Sequence, residues 1–139
     1  MRTSYTSYFA NLRNLPKDIA PIAICAKPPQ FYKGAVYKKL APPYDVLMKY
    51  KRDGDKEAYV REFKKRVLAR LPDARTVLSE LSYLAGGKQF ALICYEKPGD
   101  FCHRHLVAEW LLNCGYLCLE YEGDMLSGKA EAGEQTTLF

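Results

Sequence analysis

The segment CYEKPGDFCHRHL, from Cys94 to Leu106, gathers two thiols, a carboxylate, two imidazoles and a guanidinium in one short stretch. Such a set can serve three chemistries. Arg104 offers a planar fork that matches a phosphate or carboxylate. The thiol of Cys94 or Cys102 can act as a nucleophile with His103 or His105 as its partner, and Glu96 can serve as general base or orient Arg104. Cys94, Cys102 and His105 can also be drawn as metal ligands, but their spacing fits no common zinc pattern, so neither a metal nor another cofactor is expected from it. The candidate catalytic group is therefore Cys94, Glu96, Cys102, His103 and Arg104. The bland alternative is that both cysteines pack as small hydrophobes. Cys25, Cys114, Cys118, Trp110 and the leucines beside Trp110 read as core.

Elements on both sides must position this group. The apolar run KQFALIC predicts a buried strand over residues 88–94. A helix follows over 102–114, closed by Gly115, with Asp100 or Phe101 near its cap. That puts Cys102, His103 and Arg104 in the first turn, where free N–H groups and the positive end of the dipole suit an anion. Residues 116–120 read as a last strand. Strand, helix and strand with short links predict a parallel sheet with a right-handed crossover.

Upstream, residues 2–7 read as a strand, 9–15 as a short helix or turn, and 19–26 as a buried strand. Residues 30–43 read as an ordered loop, and 44–51 as a helix. Asp53-Gly54-Asp55 breaks that helix and caps the next, over 56–71, whose apolar face is Val60, Phe63, Val67, Leu68 and Leu71. Pro72-Asp73 opens a further helix with Val77, Leu78, Leu81 and Leu84 on its apolar face, and Gly86-Gly87 closes it. The fold class is a single compact α/β domain over residues 1–122, a mostly parallel sheet flanked by helices. A polar tail, expected to be mobile, fills 123–139.

The net charge of +5 is mildly basic. It fits a phosphate-rich partner without reaching the level of domains that bind nucleic acid by charge alone. The five cysteines show no disulfide-framework spacing, the opening residues lack the apolar core of a signal peptide, and no apolar run approaches the ~20 residues that span a bilayer. A reducing, cytoplasmic setting with no membrane partner is the default expectation. In a parallel sheet the ends of strands 19–26 and 88–94 can lie side by side. Lys27, Gln30, Tyr32, Lys33 and Lys97 are then candidate ligand-binding residues around the same cleft as Arg104, suited to a nucleotide or a nucleic-acid backbone. For each residue alone, loop packing or plain solvation is the competing account.

The run ALICYEKPGDFCHRHLVAEWL resembles the C-terminal signature of the DUF488 family of bacterial, archaeal and phage proteins: a strand ending in Cys, then x-Glu-Lys, a short loop, Cys-His-Arg and a helix. The matching positions are Cys94, Glu96, Lys97, Cys102, His103 and Arg104. TSYFANLR, PPQFYKG and KLAPPYDVLMKYK resemble one subgroup of the family, so the likeness covers roughly residues 3–113. It implies a compact α/β domain and no particular activity. Family members carry Asp-x-Arg at the end of an early strand, where this chain has Cys25-Ala26-Lys27. The resemblance thus lends no acid–base role to that strand.

The chain ends QTTLF. Gln135 with Leu138 and Phe139 on a polar tail looks like the peptide by which bacterial proteins dock on the DNA polymerase sliding clamp, two apolar anchors with a Gln to fix register. The leading functional expectation is an enzyme or accessory factor acting on nucleic acid or nucleotides at an anion cleft. The alternatives are a non-catalytic phosphate-ligand or protein-binding module, and a thiol- or metal-dependent redox protein.

Overall fold

The computed structural model describes residues 3–96 and 101–121. Among the described residues five strands, β1 (Ser4–Tyr8), β2 (Ile19–Ala23), β3 (Ala35–Val36), β4 (Gln89–Cys94) and β5 (Cys118–Glu120), form one sheet in the order β3-β2-β4-β1-β5. Every strand pair is parallel. β4 lies at the centre, and its run Phe90 to Cys94 is buried throughout, as a parallel strand covered on both faces requires.

The helices α1 (Tyr44–Asp53), α2 (Lys56–Arg66), α3 (Ala74–Leu84) and α4 (His103–Asn113) share one face of the sheet. There Ile22, Ile24, Phe90 and Leu92 pack with Val46, Phe63, Val77, Leu81, Val107 and Leu111. The opposite face, Ile19, Ala23, Ala91 and Ile93, is covered by Phe9, Leu12, Leu15 and Tyr32 from the 3₁₀ segment Phe9–Asn14 and the loops after it. The break between α1 and α2 works as its sequence predicts. Gly54 takes the left-handed conformation at φ 68°, and the Asp55 carboxylate accepts the Ala58 N–H at 3.1 Å.

Several expectations are corrected. Residues 30–43 are not loop alone, since they carry β3 and a 3₁₀ turn at Lys38–Leu40. The helix expected over 56–71 ends at Arg66 and is followed by a separate 3₁₀ turn, Leu68–Arg70. Its buried face is Ala58, Tyr59 and Phe63 rather than Val60, because the Tyr59 ring turns inward. Leu84 and Leu112 are exposed. So is Cys114, which caps the C-terminus of α4 instead of joining the core. Among the described residues, no helix is long and apolar enough to cross a membrane.

The topology picks out one place on the sheet. The chain leaves β1 toward β2 on one side and leaves β4 through α4 toward β5 on the other. β1 and β4 are neighbours, with Tyr8 paired to Cys94 at their carboxyl ends. The 3₁₀ segment after β1 covers one face of the sheet and α4 after β4 covers the other, and neighbouring parallel strands whose connections take opposite faces form the switch point at which α/β proteins bind ligands.

Candidate functional site

Cys102 caps α4, so the helix starts at His103, one position later than the sequence implied. Its first turn faces the ends of β1, β4 and β5. Arg104, in that turn, is fully buried. Its Nε donates to Glu120 Oε1 at 3.1 Å and its Nη2 to Glu120 Oε2 at 3.0 Å. Its Nη1 donates to the Glu96 carbonyl at 2.5 Å and to Cys94 Sγ at 3.4 Å. The Tyr8 ring lies 5.6 Å from the guanidinium carbon. Thr6, opposite Glu120 in the β1–β5 register, donates its hydroxyl to Glu120 Oε1 at 2.6 Å.

The fork that the sequence offered to a bound anion is therefore filled by Glu120. A guanidinium this deep needs a carboxylate partner to offset its desolvation. Glu120, Thr6 and Tyr8 were missed as site residues, and nothing local in the sequence marks them. Their role becomes visible only once β5 is placed beside β1.

His103 is buried, and burial holds its imidazole down to about 4. Its Nε2 lies 2.7 Å from the Ile24 carbonyl, which can only accept, so the neutral ring carries its proton on Nε2. The unprotonated Nδ1 then faces Cys102 Sγ at 3.9 Å. Phe63 packs against the ring at 5.6 Å between centroids. His105 is half-buried, and burial also lowers its pKa.

Cys94 and Cys102, read as separate reduced thiols, are joined as a disulfide. The end of β4 meets the cap of α4 there, and both residues are buried. Neither is a free nucleophile in this state. The imidazole beside the sulfurs is that of His103, one of the two drawn as a partner for the thiol, and not the His105 drawn for the metal set. The ligand-capable atoms of Cys94, Cys102 and His103 all lie within 4.8 Å of one another.

The expected ring of ligand-binding residues is only partly assembled. Tyr32 turns inward, with its hydroxyl 2.6 Å from the Ala35 carbonyl and 3.1 Å from that of Pro21, and it accepts the Ala23 N–H at 3.2 Å. It thus ties the loop to β2, and burial pushes its phenol up to about 12. Lys27, Gln30 and Lys33 are exposed, as is Glu96. Lys97, together with Gln135, Leu138 and Phe139, lies outside the described residues. Clefts of about 460 and 430 Å³ are lined by Tyr37, Glu80 and Tyr83 and by Arg66, Arg70 and Pro72 with their neighbours, and none of the candidate residues borders them.

What the carboxyl edge does expose is aromatic. Phe31 is 65% and Tyr95 49% exposed. Both rest on the buried Phe9, at centroid distances of 6.4 and 4.9 Å. The Tyr95 hydroxyl donates to the Lys27 carbonyl at 2.6 Å, which brings the strap carrying Lys27 against the shelf. Tyr95 lies between Cys94 and Glu96 in the sequence, and only its exposure on this shelf marks it.

A family model described as the active DUF488-N3 subclade matches residues 7–115. No curated protein and no solved structure matches the chain.

Proposed function

The chain belongs to the DUF488 family, and on that premise we propose that it is an enzyme or accessory factor that takes a nucleotide or single-stranded nucleic acid at the carboxyl edge of its sheet. One observation carries the reading: the exposed pair Phe31 and Tyr95, both backed by Phe9, with the exposed Lys27 tied to Tyr95 through its carbonyl and the exposed Lys33 two residues after Phe31. Flat aromatic faces accept bases of any sequence, and nearby lysines neutralise phosphate. The shelf adjoins the β1–β4 switch point, and the exposed Glu96 puts a carboxylate beside it. Arg104 acts in this reading as a positioning residue, because its donors are taken up by Glu120, Glu96 and Cys94.

The test is fluorescence anisotropy with labelled single-stranded DNA and RNA, with nucleotides as competitors. Stacking of one base is worth about 1–3 kcal/mol, so Tyr95→Ala and Phe31→Ala should each weaken binding by roughly 5- to 150-fold. Binding should also fall steeply with salt. Wild-type protein that binds none of these ligands, or binds them equally well without either ring, defeats the reading. Sliding-clamp docking through Gln135, Leu138 and Phe139 is a second reading, supported by their sequence pattern alone. Removing residues 135–139 should abolish capture of the purified clamp, and retention of capture would refute it.

A further inference from the structure

We infer that Cys94, Cys102 and His103, once the disulfide is reduced, form a binding site for a thiolate-preferring divalent cation such as Zn(II). Three observations converge on it, none of which depends on the nucleic-acid reading.

The first is the donor set. Two sulfurs and one imidazole nitrogen lie within 4.8 Å of one another, all buried. Two thiolates on a tetrahedral zinc sit about 3.8 Å apart, given Zn–S bonds near 2.3 Å. The Cα atoms of Cys94 and Cys102 are 7.5 Å apart, wider than the ~4.4–6.8 Å usual for a disulfide, so side-chain rotation alone makes room for an ion.

The second is the orientation of the imidazole. The Ile24 carbonyl fixes the proton on Nε2 and leaves the Nδ1 lone pair toward the sulfurs. A backbone carbonyl on the far nitrogen is the usual support for a metal-bound histidine.

The third is charge. Two thiolates and a divalent ion sum to zero, and Arg104 already has its counter-charge in Glu120. The ion therefore adds no net charge to a buried site, and the Nη1 hydrogen bond to Cys94 Sγ supports the thiolate. With three protein donors, the fourth position is open to water or a substrate atom, the pattern of catalytic rather than structural zinc.

Disulfide and metal site are alternative states of the same sulfurs. A thiol reductant supplies the two electrons: two equivalents of RSH become RSSR while the Cys94–Cys102 bond is replaced by two S–H groups. The cation then displaces both thiol protons, so each ion bound should release about two protons.

The experiment uses the full chain, reduced with a phosphine and freed of metal by chelator, titrated with Zn(II) and with Co(II). The expected result is one ion per chain, release of about two protons, a thiolate-to-cobalt charge-transfer band, and protection of Cys94 and Cys102 but not Cys114 from alkylation. Cys94→Ser and His103→Ala should each weaken binding at least about tenfold, while Cys114→Ser should not. Absence of stoichiometric metal in the reduced wild type overturns the inference, as does equal binding by the oxidised protein. Where a variant fails to fold, the wild-type alkylation map decides: metal that protects other cysteines overturns it equally.

Discussion

Arg104 on α4 and Glu120 on β5 form a two-point ion pair, Nε and Nη2 each on a separate carboxylate oxygen at 3.1 and 3.0 Å, with the guanidinium wholly inside the protein. Removing one partner of such a pair strands the other charge in a low dielectric. Glu120→Ala should cost about 3–5 kcal/mol of stability, and Arg104→Ala should cost a similar amount. The double replacement Arg104→Met with Glu120→Leu should recover much of that loss, because no charge is left buried. Urea unfolding of the three variants checks this. Single variants within 1 kcal/mol of wild type, roughly the range of a solvated surface pair, would mean that the pair is worth little.

Tyr32 was expected to face a ligand and instead anchors a strap. Its hydroxyl meets Ala35, Pro21 and Ala23, and a Cβ on Gly34 would overlap that same hydroxyl. Tyr32→Phe should therefore destabilise the protein by about 1–3 kcal/mol, the cost of taking one partner from buried polar groups. Gly34→Ala should act in the same direction by displacing the phenol. Thermal melts settle the point: a Phe variant as stable as wild type would return Tyr32 to the list of ligand residues.

The sequence carried the sheet well and the site unevenly. KQFALIC, IAPIAICA and the helix after Cys102 announced a parallel α/β unit because buried strands there are continuous apolar runs. The meeting of β2 and β4 at their carboxyl ends also followed from that topology. Long-range pairing was not legible. Nothing near Glu120 marks it as the partner of Arg104, and nothing in the spacing joins Cys94 to Cys102. His105 looked as good a neighbour of the sulfurs as His103 until the start of α4 was fixed at His103. Tyr59 has no place on the apolar face that periodicity implies, because a phenol reads as polar in such a count, although its ring is buried.

Burial on α2 offers a direct comparison. Phe63 is fully buried, lies parallel to Tyr59 at 6.1 Å and backs the His103 ring. Val60, on the apolar face the sequence implied, is only partly buried. Phe63→Ala should cost about 3–5 kcal/mol by leaving a cavity, whereas Val60→Ala should cost about 1 kcal/mol or less. Equal penalties in urea unfolding would place the helix in the orientation that periodicity alone suggested.

The last prediction concerns alkaline pH. Burial pushes the Cys118 thiol up to about 11 from its ordinary 9.0. A raised value means that the folded protein keeps its proton after the unfolded chain has lost it. Its contribution is whole below pH 9.0 and drains away as pH rises toward about 11. Two pH units correspond to a total on the order of 3 kcal/mol. Tyr32, held at about 12 by burial, adds a loss of the same sign at higher pH. Cys118→Ala removes the first component, so its stability should fall less steeply across that window than that of wild type. Urea midpoints measured through the interval give the comparison. Parallel slopes for the two proteins would mean that Cys118 ionises as readily in the fold as in the unfolded chain, and that the edge formed by β5 is wetter than its packing implies.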